Sequence, residues 1–366
     1  MAKIVAKFGG SSVKDAEALT RCLNILKKTP QIKVAVISAT YNSTNQLTEI
    51  TAFLEKKQVE KAQVELELFF DRHLELAKNL NSTETLFLQL ENLHSCGKKL
   101  LLNYSISEYD EMLSLGEQCS SLLFSDLLKR SLPERDIYLK DAREVVLTDS
   151  FIGKANVCKE DVKKAIIKHW PELSAKRALI ITQGFIGKDY KGVTRTLGRE
   201  GSDYSAALFA YGIDADLLQI WTDVEGIASY DPNKVEDAHF YKELSFEQAK
   251  LMAKYGAKIL FKKTLDPLLE KKIPVWVGST LAPEALGTRL LPDDGEIQLG
   301  MTSDSSFFYF FGDRGIVARS SLESLLGTQG EVTEFGLRFL KNNVFNKELE
   351  IKLHRIWCSY VQDDQK

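Results

Sequence analysis

Apolar residues in this chain fall into short unbroken runs divided by longer stretches of helical spacing. Ile4 to Phe8 is such a run and predicts a strand that ends in Gly9-Gly10. From Asp15 to Lys28, residues Leu19, Cys22, Leu23 and Leu26 recur at helical intervals. Ile32 to Ser38 reads as a second buried strand, and Thr44 to about Arg130 as a long, amphipathic, mostly helical stretch with few breakers. Strand signals return at Glu144–Leu147, Ala178–Thr182, Leu217–Trp221 and Ile273–Val277, with helical patterns at Asp203–Tyr211 and Ser245–Tyr255. Strands alternating with helices predict an α/β fold, a mainly parallel sheet covered on both faces. In such sheets ligands gather beyond the carboxyl ends of the strands, where the glycine and acid clusters of this chain fall.

Breakers concentrate in Leu290-Leu291-Pro292-Asp293-Asp294-Gly295 and predict a boundary there: residues 1–292 as one unit and 293–366 as a smaller one. The tail opens with the apolar run Phe307–Phe311. A helical stretch follows at Ile316–Leu326, then Glu331–Leu340, then a strand-like run near Leu349–Tyr360.

Composition narrows the function classes. Of 366 residues, 44% are hydrophobic and 27% charged, which is globular rather than disordered. A net charge of −3 gives no basic footprint for nucleic acid or membrane. Five cysteines form no CxxC pair, and five histidines have no metal-ligand spacing, so both sets read as core and surface filler. The start carries no signal-peptide pattern and no run nears the ~20 apolar residues of a membrane helix, so a cytoplasmic protein is expected.

The chemistry sits in two clusters. Lys7 to Val13 read KFGGSSV: a strand delivers a lysine to a Gly-Gly-Ser-Ser turn and then a helix. Such a turn brings backbone N–H groups close to an oxyanion, and the lysine can neutralise a transferring phosphoryl group. The turn is neither GxxxxGK[ST] nor GxGxxG. Thr196 to Tyr204 read TLGREGSDY, a glycine-broken loop that delivers Arg199, Ser202 and Asp203 as a helix begins. Arginine suits a carboxylate and aspartate an ammonium, and an amino acid offers both; Ser202 or Asp203 also suits a helix cap. Weaker candidates are Ser38 at a strand end, Thr44 at a helix start, Glu117 ahead of a helix, and Thr222-Asp223 at a strand end before Gly226 and Asp231-Pro232.

In this order the segments resemble the aspartokinases of the amino-acid kinase family. The matching pieces are KFGGSSV (7–13), ISAT…STNQL (37–47), SLGEQCSSLLF (114–124), ITQGFIG (181–187), TLGREGSDYSAAL (196–208), IWTDVEGI (220–227), YGAKIL (255–260) and IPVWVGST (273–280). The resemblance implies a three-layer αβα sandwich that moves the γ-phosphate of ATP, with Mg²⁺, onto the side-chain carboxylate of aspartate. This is the first step toward lysine, threonine, methionine and diaminopimelate. It implies Lys7 and Asp203 as catalytic, and Ser38, Thr44, Glu117, Arg199 and Ser202 as aspartate-binding. Lys7, Gly9, Gly10, Ser11, Thr222, Asp223 and Lys258 are implied for the nucleotide, and a homodimer for the assembly.

The match departs at several positions. The usual GRGGSDY has Glu200 at its third position. Ala228 replaces a common aromatic, Asn233 follows Asp-Pro in place of arginine, and Phe261-Lys262 stand where His-Pro is common. After Pro292 only one length of about seventy residues remains where the family carries two ACT domains. The tail therefore reads as one reduced ACT-like or dimerisation unit, α+β in class, with weak or absent feedback inhibition by lysine. Two rivals stand beside an active aspartate kinase. One is another amino-acid kinase, for glutamate or carbamate; the other is a silent paralogue that binds amino acid or nucleotide and regulates a partner.

Overall fold

The computed structural model describes residues 2–257, 262–293, 295, 297–312, 315–341 and 347–362. Its centre is β1 (Ile4–Phe8), which pairs in parallel with β2 (Ile32–Ile37) on one side. Every residue of β2 is buried, as expected of a parallel strand covered on both faces. Between them the chain makes a 3₁₀ turn at Gly10–Val13 and helix α1 (Ala16–Lys28), capped by the Asp15 carboxylate accepting from Ala18 N–H.

Helices α2 (Ser43–Glu55), α3 (Val59–Asn79), α4 (Glu84–Leu102) and α5 (Tyr109–Ser131) follow and pack on one another in sequence. The stretch expected to be helical from Thr44 to Arg130 is thus four helices. Next come β3 (Asp136–Lys140), β4 (Leu147–Thr148), α6 (Lys159–His169), β5 (Ala178–Gln183), β6 (Ile186–Asp189), β7 (Thr194–Thr196), α7 (Gly201–Gly212) and β8 (Leu217–Thr222). They are followed by β9 (Glu243–Ser245), α8 (Phe246–Lys254), α9 (Lys262–Lys271), β10 (Val275–Ser279) and β11 (Thr288–Leu291). The main sheet has eight strands in the order β3-β5-β2-β1-β8-β10-β11-β9, parallel except at β10–β11. Helix α5 packs under β2, β3 and β5, while α7 lies against β1, β2 and β8 with α6 and α9 behind it. This is the expected mainly parallel α/β sheet.

The expected strand at Glu144–Leu147 is corrected. Residues Ala142–Glu144 form a 3₁₀ turn, and only Leu147–Thr148 is strand, in a small side sheet with β6 and β7. The main-sheet strand lies upstream, at β3. Every residue of β3 is half-buried because it edges the sheet, and its short Ile137-Tyr138-Leu139 run is bounded by charged Asp136 and Lys140.

A second sheet, antiparallel, runs β12 (Gly300–Ser303), β13 (Phe307–Phe311), β15 (Gly336–Leu340), β14 (Glu331–Thr333). Helices α10 (Gly315–Leu326) and α11 (Lys347–Gln362) accompany it. The run expected to be strand-like near Leu349–Tyr360 is therefore helix: Leu349, Leu353 and Trp357 are spaced by four and turn one stripe into the same small core. Strand β13 alternates. Phe308 and Phe310 face that core, whereas Tyr309 and Phe311 join the main one, where Tyr309 and Phe335 meet Tyr255. Among the described residues no helix is long and apolar enough to cross a membrane.

Candidate functional site

The carboxyl ends of β1, β2 and β8 open on two cavities that meet at one point. One, about 540 Å³, is lined by Lys7, Gly10, Ser38, Thr44, Glu117, Arg199, Ser202 and Asp203 among others. The second, about 530 Å³, lies under β8 and the loop after it, lined by Thr222, Ile227, Ala228, Tyr230, Asn233, Phe240 and others. Lys7, Glu200 and Asp203 line both.

Close backbone approach builds the first cavity. A Cβ on Gly116 would stand 2.8 Å from the Ala39 Cβ, so glycine lets helix α5 press against the turn after β2. That contact places the neighbouring Glu117 carboxylate on the Ala39 N–H at 3.1 Å. Glu117 therefore lies within α5, not ahead of a helix as expected. Its second oxygen is buried with no protein partner among the described residues, which leaves an acceptor for a ligand. Burial pushes the Glu117 carboxyl up to about 8, against the Ala39 N–H and the Lys7 charge, which both pull it down.

The turn carrying Thr40 to Asn45 is pinned from below. His73 Nδ1 lies 2.7 Å from the Phe69 carbonyl and Nε2 3.0 Å from Thr40 Oγ1. Burial lowers the His73 pKa to about 4, so the ring is neutral; Nδ1 donates to the carbonyl and Nε2 accepts from Thr40. Thr40 in turn meets Ser43 Oγ at 2.6 Å, and Ser43 accepts from Arg72 at 2.9 Å. His73 is thus a positioning residue of this wall, although its spacing in the sequence marks it only as filler.

Helix α7 supplies the opposite wall. A Cβ on Gly184 would stand 2.6 Å from Ser202 Cβ, so the helix start sits directly on the end of β5. Neither Ser202 nor Asp203 caps the helix. The residue at the cap is Glu200, with φ 54° and no side-chain cap bond, and both side chains stay turned to the cavity. Glu200 thus occupies the left-handed region, where glycine is less strained by about 1 kcal/mol. At the junction Lys7 Nζ and Asp203 Oδ1 are 2.7 Å apart, both largely buried.

The nucleotide-side expectations are only partly brought together. Thr222 lines the second cavity, but Asp223 is exposed and accepts from Thr222 Oγ1 at 3.0 Å. Gly9 and Ser11 line neither cavity. The Gly9 N–H already donates to the Trp221 carbonyl at 3.0 Å, so it is not free for a phosphate. Lys258 lies outside the described residues. Sequence reasoning missed Tyr230, Lys234, Phe240 and Met301–Ser303, all of which line this cavity. Asp231-Pro232 flagged the loop that carries the first three; nothing flagged Met301–Ser303, which arrive on β12.

The model of the amino acid kinase family matches residues 2–279. Lysine-sensitive aspartokinase 3 of Escherichia coli is 37% identical over 292 residues, 78% of this chain and 63% of the relative; this chain thus spans under two thirds of that protein's length. The aspartokinase of Chlamydia pneumoniae is 34% identical over 373 residues, all of this chain and 78% of the relative. Among solved structures, E. coli aspartokinase III in complex with aspartate and ADP is similar with a TM-score of 0.75 and 28% identity, covering 97% of this chain and 84% of that one.

Proposed function

The chain belongs to the amino acid kinase family, among its aspartokinases, and from that premise we propose that it transfers the γ-phosphate of ATP to the β-carboxylate of L-aspartate. The observation that carries this reading is the pair of cavities of nearly equal volume, about 540 and 530 Å³, meeting at Lys7 and Asp203. Two ligands seated in them would present their reactive ends to one lysine.

Aspartate takes the first cavity. Arg199 grips its α-carboxylate, and Glu117 faces its ammonium, with Ser38, Thr44 and Ser202 around the remaining oxygens. The nucleophile is a carboxylate with an unperturbed pKa of about 3.9, ionised at neutral pH, so no general base is required. The obstacle is anion meeting anion: two unit charges ~4 Å apart repel by roughly 4 kcal/mol at an effective dielectric of about 20. Lys7 offsets that repulsion where the phosphoryl group passes. Its ion pair with Asp203 holds the ammonium at the junction before either ligand arrives.

The nucleotide takes the second cavity, along Thr222 and the loop after β8. Among the described residues no cluster of three or more His, Cys, Asp or Glu could hold a metal by itself. A Mg²⁺ carried on the ATP phosphates would reach the site with the nucleotide, where Asp203 at the junction of the cavities would hold it. When bound, the ion neutralises charge on the phosphates.

The test is ADP release from Mg-ATP with and without L-aspartate, the acyl phosphate being trapped with hydroxylamine. Aspartate-dependent turnover is expected. A folded protein that binds ADP yet turns over no aspartate would leave the silent-paralogue reading in its place.

A further inference from the structure

The loop after β8, which walls the second cavity, has almost no regular structure between Asp223 and Lys242. A loop of this length is ordinarily mobile, and ordering it costs backbone entropy. Here the C-terminal unit holds it. Tyr230 and Val235 are buried in the small core with Phe310, Leu353 and Trp357, not in the main core. The Met301 N–H donates to the Ser229 carbonyl at 2.7 Å, and Ser229 Oγ lies 3.0 Å from His354 Nε2.

One side chain of α11 takes two polar residues of that wall. Glu350 is 3% exposed; its Oε1 accepts from the Tyr230 hydroxyl at 2.7 Å and from Lys234 Nζ at 3.2 Å. A carboxylate so buried is stable only when paired, so the loop and the helix hold each other. Tyr230 and Lys234 both line the second cavity. Among the described residues, none of the C-terminal unit lines the first, whose lining runs from Lys7 to Asp203.

We propose that Glu350 is a positioning residue for the nucleotide: by fixing Tyr230 and Lys234 it makes nucleotide affinity depend on the C-terminal helix, while aspartate affinity does not. The C-terminal unit is on this account part of the nucleotide site. This rests on the assignment of the second cavity to the nucleotide.

The test is calorimetric titration of the full chain with ADP in the presence of Mg²⁺, alongside the KM for aspartate. Glu350→Ala should raise the ADP Kd about tenfold, the scale of a lost hydrogen bond to a charged group, with the aspartate KM within twofold. Glu350→Gln still accepts from Tyr230 and should recover most of the loss. Glu348→Gln, on the exposed side of the same helix, should change nothing. If Glu350→Ala does not fold, Tyr230→Phe decides the matter, since the ring stays buried and only the hydroxyl goes. A Kd raised about threefold supports the proposal, and an unchanged Kd overturns it. Equal losses for ADP and aspartate would mark general loosening and overturn it too. A wild-type chain that binds no ADP would overturn the functional reading along with it. Wild-type binding with an unchanged Glu350→Ala would overturn this proposal alone.

Discussion

The two cavities share three residues and little else. The first is walled by charged and hydroxyl side chains whose positions are locked by hydrogen bonds, Glu117 on Ala39 and the Arg72–Ser43–Thr40–His73 chain, and by the close packing of Ser202 on Gly184. The second is walled largely by apolar side chains such as Ile227 on the loop after β8, Val277 on β10 and Met301 on β12, and Tyr230 of that loop and Met301 belong to the smaller core. On the proposed assignment the difference follows from the ligands: a small amino acid with two carboxylates and an ammonium needs fixed charges at fixed places, and a nucleotide base needs a slot. It also means that the first cavity is set by the sheet, and the second by how well the C-terminal unit stays docked.

The largest effect belongs to the shared lysine. Lys7→Ala should lower kcat by about 10²- to 10³-fold, because its charge matters most as phosphoryl charge develops. Steady-state rates at saturating ATP and aspartate check this, and unchanged turnover would remove Lys7 from the mechanism. Arg199→Ala should come next, raising the aspartate KM roughly ten- to a hundredfold for the lost two-point grip. Arg199 lines only the first cavity, so the ADP Kd should hold steady. A shift in both constants would mean that the cavities are not separate in function.

The same contrast explains what the sequence made legible. Lys7, Ser38, Thr44, Glu117, Arg199, Ser202 and Asp203 all line one cavity, and charged and hydroxyl residues beside glycines stand out in a motif. The parallel core strands were equally plain, since burial on both faces leaves an apolar run. The edge strand β3 left only Ile137-Tyr138-Leu139 between two charges, and α11 reads as a strand until its spacing of four is set against a core to bury. The second cavity was legible only in part, through Thr222, Ala228, Asp231-Pro232 and Asn233. Its wall comes from a loop without periodicity and from β12, some eighty residues after β8, and tertiary packing alone joins them.

Glu117 offers a pH test confined to the first cavity. Its carboxyl is raised to about 8 by burial, so below that pH it is mostly protonated in the empty site. A substrate ammonium favours the ionised form. The aspartate KM should therefore fall as pH rises from 6.5 toward 8.5, by at most about tenfold per unit, while the ADP Kd stays flat. Stability should run the other way. The folded chain holds a proton that the unfolded chain releases near 4.5, so this group makes stability decline as pH climbs from about 4.5 to about 8. Glu117→Gln should flatten both trends, raise the aspartate KM, and melt higher than the wild type at pH 8.5. A wild-type KM that does not move with pH would mean that Glu117 does not meet the ammonium.

The smallest effect expected is the one that tests the junction itself. Glu200 puts a carboxylate on the wall of both cavities, each read here as taking an anion, and does so with φ 54°. Glu200→Gly relieves the left-handed strain, about 1 kcal/mol, but gives the unfolded chain a comparable freedom, so the melting temperature should hardly change. The loss of the carboxylate is then read in the substrate constants. Removing it should lower the KM for ATP and for aspartate together, by about three- to fivefold at low salt, and the gain should shrink as salt screens the site. If only the aspartate constant moves, Glu200 belongs to the first cavity in function as well as in sequence. The junction then reduces to Lys7 and Asp203.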